Sequence, residues 1–142
     1  MQPKEIMLEG YSFGFVGGID VRMDRDGKAL EHNPASRYSK NASSPLNAHG
    51  HKQFCKFRLH PISGNEHVIR QQGVYAIYAA NVKYLGRTRT TLIDRFNNGY
   101  GNISPANCFH GGESTNCHIN NEILEVTKLG NAVWVYFHPT DS

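Results

Sequence analysis

A chain of 142 residues with 39% hydrophobic and 19% charged residues is sized for a single domain around one hydrophobic core, and its composition excludes general disorder. A net charge of +3 with a pI near 8.8 leans slightly towards a polyanionic partner and decides nothing alone. No apolar run approaches the roughly 20 residues that cross a bilayer, and residues 1–10 carry no stretch that would serve as a secretory signal, so the expectation is a cytoplasmic protein with no membrane partner.

In chain order, the first half is irregular. Tyr11–Val16 and Ile19–Met23 read as short strands separated by Gly17-Gly18, a hairpin-like signal. Asp24–Gly50 reads as a long loop, and Phe54–Leu59 as a further strand ended by Pro61. The second half is more regular. Gly73–Tyr78 and Val82–Leu85 form a hairpin through Ala80-Asn81, Thr91–Phe96 a short helix ended by Asn97-Asn98-Gly99, and residues 99–112 a loop. Ser114 or Thr115 opens a helix whose Ile119, Ile123, Val126 and Thr127 share a face, Gly130 stops it, and Ala132–Phe137 is a buried strand. The expected fold is α+β: a small, mainly antiparallel sheet flanked by helices over residues 71–142, with an irregular β/loop N-terminal extension over residues 1–70 that contacts the substrate.

The cysteines Cys55, Cys108 and Cys117 are odd in number and lack framework spacing, so free thiols are expected. Cys108, His110, Cys117 and His118 do not have the spacing of a common zinc ribbon or finger. His49 and His51 read as loop histidines without a role.

Gly73-Val74-Tyr75 followed by Tyr84-Leu85-Gly86, then Arg87-Thr88 and Leu92-Ile-Asp-Arg95, resembles the ordered signature of the GIY-YIG nucleases, with Val and Leu each replacing an Ile. Gly99–Pro105 and Gly111–Asn121 are also similar to a bacterial, restriction-type subset of that family. The resemblance covers the last half of the chain and departs at one point. The step from Gly86 to Arg95 is one residue longer than is common in the family, which leaves Arg89 as an alternative to Arg95.

Phosphodiester hydrolysis needs an activated water, neutralisation of charge on the phosphoryl oxygens and help for the departing oxygen. The resemblance implies that Tyr75 removes the water's proton. An unperturbed tyrosine is a poor base at neutral pH, so cationic neighbours must favour the phenolate, and Arg87 and Arg95 are the candidates. Tyr84 on the paired strand would position water or phosphate. Arg87, Arg89, Arg95 and Asn120 are the candidate phosphate contacts, the arginines through their planar fork. The resemblance also implies one carboxylate at the start of a later helix for Mg2+ or Mn2+; Glu113 fits, with Glu122 in reserve and Glu125 further along, while Asn116, Asn121 and above all Asn120 could order the site. Taken singly, the tyrosines could be cross-strand packing, the arginines solvated surface and Glu113 a carboxylate favoured by a helix N-terminus.

The expected function is a metal-dependent endonuclease acting on DNA as monomer or homodimer, in restriction or phage defence. The alternatives are a non-catalytic nucleic-acid-binding module of the same fold, or a nuclease acting on RNA or branched DNA.

Overall fold

The computed structural model describes residues 2–37 and 45–140, and the fold is α+β as expected. Six strands form one curled antiparallel sheet: β1 (Glu5–Leu8), β2 (Tyr11–Val21), β3 (Phe57–Pro61), β4 (Gly73–Ala79), β5 (Asn81–Arg87) and β6 (Trp134–Pro139). The order is β1-β2-β6-β4-β5, and β3 pairs with the second half of β2 on the edge whose first half takes β1. Strands from residues 1–70 and from residues 71–142 therefore share one sheet, joined where β2 pairs with β6.

β2 corrects the expected pair of short strands. Gly17-Gly18 does not turn; the chain runs straight through it, with a bulge against β6 between Phe15 and Gly17. A Cβ on Gly17 would fall on the His60 carbonyl oxygen, so glycine there permits the close approach of β3. The reversal lies earlier, at Glu9-Gly10, both with positive φ. Within the expected long loop, a four-residue helix α1 (Pro34–Arg37) forms, Leu46 bridges Phe109, and residues 38–44 lie outside the described residues.

Strand alternation gives the sheet two faces. Tyr75, Ile77, Val135 and Phe137 point to the main core, where Ile119, Ile123 and Leu124 of helix α3 (Ser114–Lys128) meet Val21, Phe57 and Leu59. Phe13, Ala76 and Tyr136 form a smaller cluster on the other face. Helix α2 (Leu92–Asp94), capped by the Thr91 hydroxyl accepting from Asp94 N–H, does not stop at Asn97-Asn98-Gly99. It continues as a π-turn over Arg95–Gly99 and a 3-10 turn over Tyr100–Asn102, because Phe96 and Tyr100 bury their rings in the core and hold those turns helical.

Cys108 and Cys117 are joined by a disulfide, their Cα atoms 5.4 Å apart, which corrects the expectation of free thiols for both; Cys55 stays free and buried. Gly111, at positive φ, helps reverse the chain so that the 3-10 turn Pro105–Cys108 faces the first turn of α3, a juxtaposition that sequence spacing does not reveal. Both sulfurs are thereby withdrawn from any zinc site.

Candidate functional site

The β4–β5 register pairs Tyr75 with Gly86 and Ile77 with Tyr84, so both signature tyrosines and the signature glycine lie on the helix-covered face. Gly86 has to be glycine: a Cβ there would fall on the Tyr75 hydroxyl, and the Tyr75 phenol lies over this bare stretch of backbone. Thr88 pins the base of the hairpin, its backbone N–H donating to the Gly73 carbonyl at 2.8 Å and its hydroxyl accepting from Gly73 N–H at 2.9 Å.

Tyr75 packs against Tyr84 with ring centroids 6.2 Å apart and edge-on against Phe96 at 5.1 Å. Its hydroxyl is hydrogen-bonded to the hydroxyl of Tyr100, and the guanidinium carbon of Arg95 lies 4.2 Å from the centre of the Tyr100 ring. Tyr75, Tyr84 and Arg95 thus come together as expected, with Tyr100 as a fourth member that sequence reasoning missed. Its signal was its position five residues after Arg95, one π-turn on, visible only once the helix is known to run through Asn97-Asn98-Gly99. Residues 88–91 connect β5 to α2, and Arg95 beyond them contacts the tyrosines.

The electrostatics depart from expectation. Tyr75 is 0% exposed, and burial, followed by its hydrogen bond to Tyr100, pushes its pKa well above the ordinary tyrosine range; Arg95 opposes this and loses. Half-buried Tyr84 is raised too, first by burial and then by Tyr100. Burial works to lower the Arg95 pKa, but Tyr100 and Tyr75 outweigh it and hold the guanidinium charged. In this arrangement Tyr75 and Tyr84 are neutral hydrogen-bonding groups beside a fixed cation, and Tyr75 is not a phenolate.

Arg87 is not one of the cationic neighbours. It pairs with Val74 and faces the other side of the sheet, where it lines a cleft with Tyr11, Leu85 and His138. Tyr84 and Arg87 are three residues apart on one strand, and odd spacing places them on opposite faces. Arg89 is exposed in the connection to α2.

Among the carboxylates, Glu122 and not Glu113 shares a cleft with Tyr84. Glu122 lines it together with Lys83, His118, Ile119 and Val126, whereas Glu113 is the exposed N-cap residue of α3. Nine helical residues separate the two, about 13 Å along the axis and two and a half turns, which puts them on opposite sides of α3. The His118 ring lies 4.4 Å from that of His49, whose pKa is lowered by burial, then by His118 and Lys52, against an upward pull from Glu122. His118 therefore lines this cleft, and His49, read from sequence as a loop histidine without a role, stacks beside it.

Of the two roles read for Asn120, ordering the site and contacting phosphate, its hydrogen bonds fit the first. It is 0% exposed; its Oδ1 accepts from Cys55 N–H, and its amide donates to the carbonyls of Cys55 and Tyr100, each at 2.8 Å. Both donors are spent inside the core, and one of them holds the backbone of Tyr100. Asn121 donates to the Gln53 carbonyl at 2.8 Å, and Asn116 Oδ1 is buried without a hydrogen-bond partner among the described residues.

Among the described residues no three His, Cys, Asp or Glu side chains cluster as a metal cage. A single carboxylate with water in the other positions is the donor set that Mg2+ takes, and Glu122 is suited to supply it. No described helix is long and apolar enough to cross a membrane. Comparison with protein-family models gives no match, and neither curated proteins nor solved structures give one.

Proposed function

We propose that this chain is a GIY-YIG-type endonuclease that hydrolyses phosphodiester bonds in DNA with one divalent cation, Mg2+ or Mn2+, in restriction or phage defence. The observation that carries the reading is the convergence of Tyr75 and Tyr84 on one face of the β4–β5 hairpin with Arg95 of the following helical segment, beside a cleft whose lining includes both Tyr84 and Glu122. Arg95, held charged, neutralises charge developing on the scissile phosphate, and Tyr84 at the cleft wall orients that phosphate. Glu122 would hold the cation, which supplies Lewis-acid polarisation and help for the departing oxygen. Water attacks phosphorus, the bond to the leaving oxygen breaks and that oxygen takes a proton from solvent. For the Tyr75 oxygen to accept the water's proton, the phenol must first give its own proton to solvent and become phenolate. That last step requires the Tyr100 hydroxyl to move aside, after which Arg95 is the neighbour that favours phenolate.

The complete burial of Tyr75 under Tyr100 favours a second reading, a nucleic-acid-binding module of the same fold that does not cleave. Supercoiled plasmid with Mg2+ or Mn2+ separates the two. The nuclease predicts nicking that EDTA stops, that Tyr75→Phe, Arg95→Ala and Glu122→Gln abolish, and that Glu113→Gln leaves intact. Plasmid untouched by the wild type yet retarded in a gel would establish the binding module. A monomer would nick; paired cuts would require a homodimer or two sequential events.

A further inference from the structure

Beyond the tyrosine cluster, a second cleft of about 520 Å³ opens where the end of β2 and the start of β3 meet the helical segment after Arg95. Arg22, Lys56 and Arg58 line one wall, and Asn97, Asn98 and Asn102 the other. Strand geometry explains the basic wall. Val21 pairs with Phe57 and both point into the core, so the flanking Asp20, Arg22, Lys56 and Arg58 alternate to the opposite side, and Arg22 N–H donates to the Lys56 carbonyl at 2.8 Å.

Positive charge predominates there. Asp20, opposite Arg58 in register, is the one carboxylate lining the cleft, three cations to one anion. Yet it makes no ion pair with Arg58, and the salt bridge among the described residues, Lys128 with Glu31, lies on another surface. With Arg22 and Arg58 exposed, Lys56 half-buried and Asp20 as the one opposing charge in the lining, the cleft carries net positive charge that an anion would neutralise. The opposite wall supplies neutral amides. Leu59 N–H fixes Asn97 Oδ1 at 2.7 Å and leaves the Asn97 NH2 as a donor, Asn98 spends one amide N–H on Asp94 Oδ1 at 2.8 Å and keeps the other, and the Asn102 side chain makes no hydrogen bond among the described residues. Arginine and lysine together with asparagine amides are the side chains that contact nucleic-acid phosphates, whereas an isolated carboxylate or acidic peptide needs only the cations.

We infer that this cleft seats the sugar–phosphate backbone of a DNA strand, Arg22, Lys56 and Arg58 contacting phosphates and the three asparagines fixing its path. The inference rests on the nucleic-acid reading above and gives residues 20–58 their part in it. The same helical segment presents Arg95 and Tyr100 to the tyrosine cluster and Asn97, Asn98 and Asn102 to this cleft. From Arg95 to Asn102 the segment rises about 10 Å, roughly three base steps at 3.4 Å each, so a strand seated here is delivered to the candidate active site.

The test measures binding of a fluorescein-labelled DNA duplex by anisotropy in EDTA, where no cleavage can interfere, between about 50 and 200 mM salt. Loss of three phosphate contacts in Arg22→Ala/Lys56→Ala/Arg58→Ala makes the slope of log K against log salt shallower by about 2.7, at 0.9 per contact, and weakens binding at least about tenfold at the lower salt. A control, Lys4→Ala/Arg70→Ala/Lys128→Ala, removes the same charge away from the cleft and keeps the wild-type slope. Circular dichroism verifies that both variants fold. Equal slopes for the two triple variants, or tight binding of poly-glutamate with none of DNA, would overturn the inference. These outcomes are independent of the plasmid assay: a protein that cleaves with an unchanged slope loses the cleft assignment and keeps the nuclease, and one that binds through the cleft without cleaving keeps the assignment and loses the nuclease.

Discussion

Replacing Asn120 by alanine strands three backbone groups in the core: Cys55 N–H, the Cys55 carbonyl and the Tyr100 carbonyl, all now bound to the Asn120 amide at 2.8 Å. Leaving a buried polar group unpaired costs about 1 kcal/mol or more, so the three together cost about 3 kcal/mol before any cavity is counted. For a chain of this length 1 kcal/mol corresponds to about 3 to 4 °C, which places the melting temperature about 10 °C below wild type in a calorimetric scan. Asn120→Asp adds a sign. It still accepts from Cys55 N–H, but an ionised carboxylate then faces two carbonyls in a buried site, so its folded pKa rises above the unfolded value of about 4. A group raised in the folded state contributes stability at low pH that is lost as pH rises, so Asn120→Asp must be closer to wild type at acid pH than at neutral pH. A drop under about 3 °C for Asn120→Ala, with DNA affinity lost instead, would refute the positioning role and restore Asn120 as a phosphate contact.

Gly86→Ala is expected to displace the Tyr75 ring and to lower the melting temperature as an overpacked core substitution does, by about 1 to 3 kcal/mol; an unchanged near-ultraviolet circular dichroism spectrum would count against the close approach. With Ellman's reagent under non-reducing conditions, the native protein should show no reactive thiol and the unfolded protein one, because Cys108 and Cys117 are paired and Cys55 is buried; three thiols after unfolding without reductant would exclude the disulfide. Burial pushes the Cys55 thiol up to about 12, above its unfolded value, so the stability it contributes is complete at neutral pH and declines from about pH 9 upward. Cys55→Ala should flatten that alkaline decline in a urea-denaturation series, and an identical decline in both proteins would mean that the thiol is not shielded.

The parts of the fold legible in the sequence were those set by short-range chemistry. Tyrosines and β-branched residues on either side of Ala80-Asn81 specify the β4–β5 hairpin, and Thr115 to Gly130 carries the apolar period of α3. The misses arose where a residue type has two physical uses. Gly17 reads locally as a turn but serves close strand approach, a choice fixed by His60 some forty residues on. Asn97-Asn98-Gly99 breaks an isolated helix, but burial of Phe96 and Tyr100 outweighs that local preference. Arg87 and Glu113 are different, since parity alone shows from sequence that Arg87 cannot share a face with Tyr84, nor Glu113 a side of α3 with Glu122. A residue three positions from Tyr84 on a strand faces away from it, and a residue nine positions from Glu122 lies on the far side of the helix. The resemblance supplied residue types in order; periodicity decides which of them can meet.

The tyrosine cluster is closed, and its closure follows from the same packing that assembles it. Gly86 leaves room for the Tyr75 phenol only against backbone, Phe96 and Tyr100 fill the remaining side, and Asn120 fixes the Tyr100 backbone from α3. Each of these contacts orders Tyr75 and removes it from water, so the features that position the group for chemistry also keep it neutral. Any catalytic use must therefore be coupled to a shift of Tyr100, whose backbone is held by one amide while its ring lies beneath Arg95. A phosphate drawing the Arg95 guanidinium off that ring would replace the cation–π contact, worth about 0.5 to 2 kcal/mol, with a charge-assisted pair, and would loosen Tyr100 as it does so. Under the proposed function the substrate then opens the site, and Tyr75 gains access to water only when a phosphate is in place.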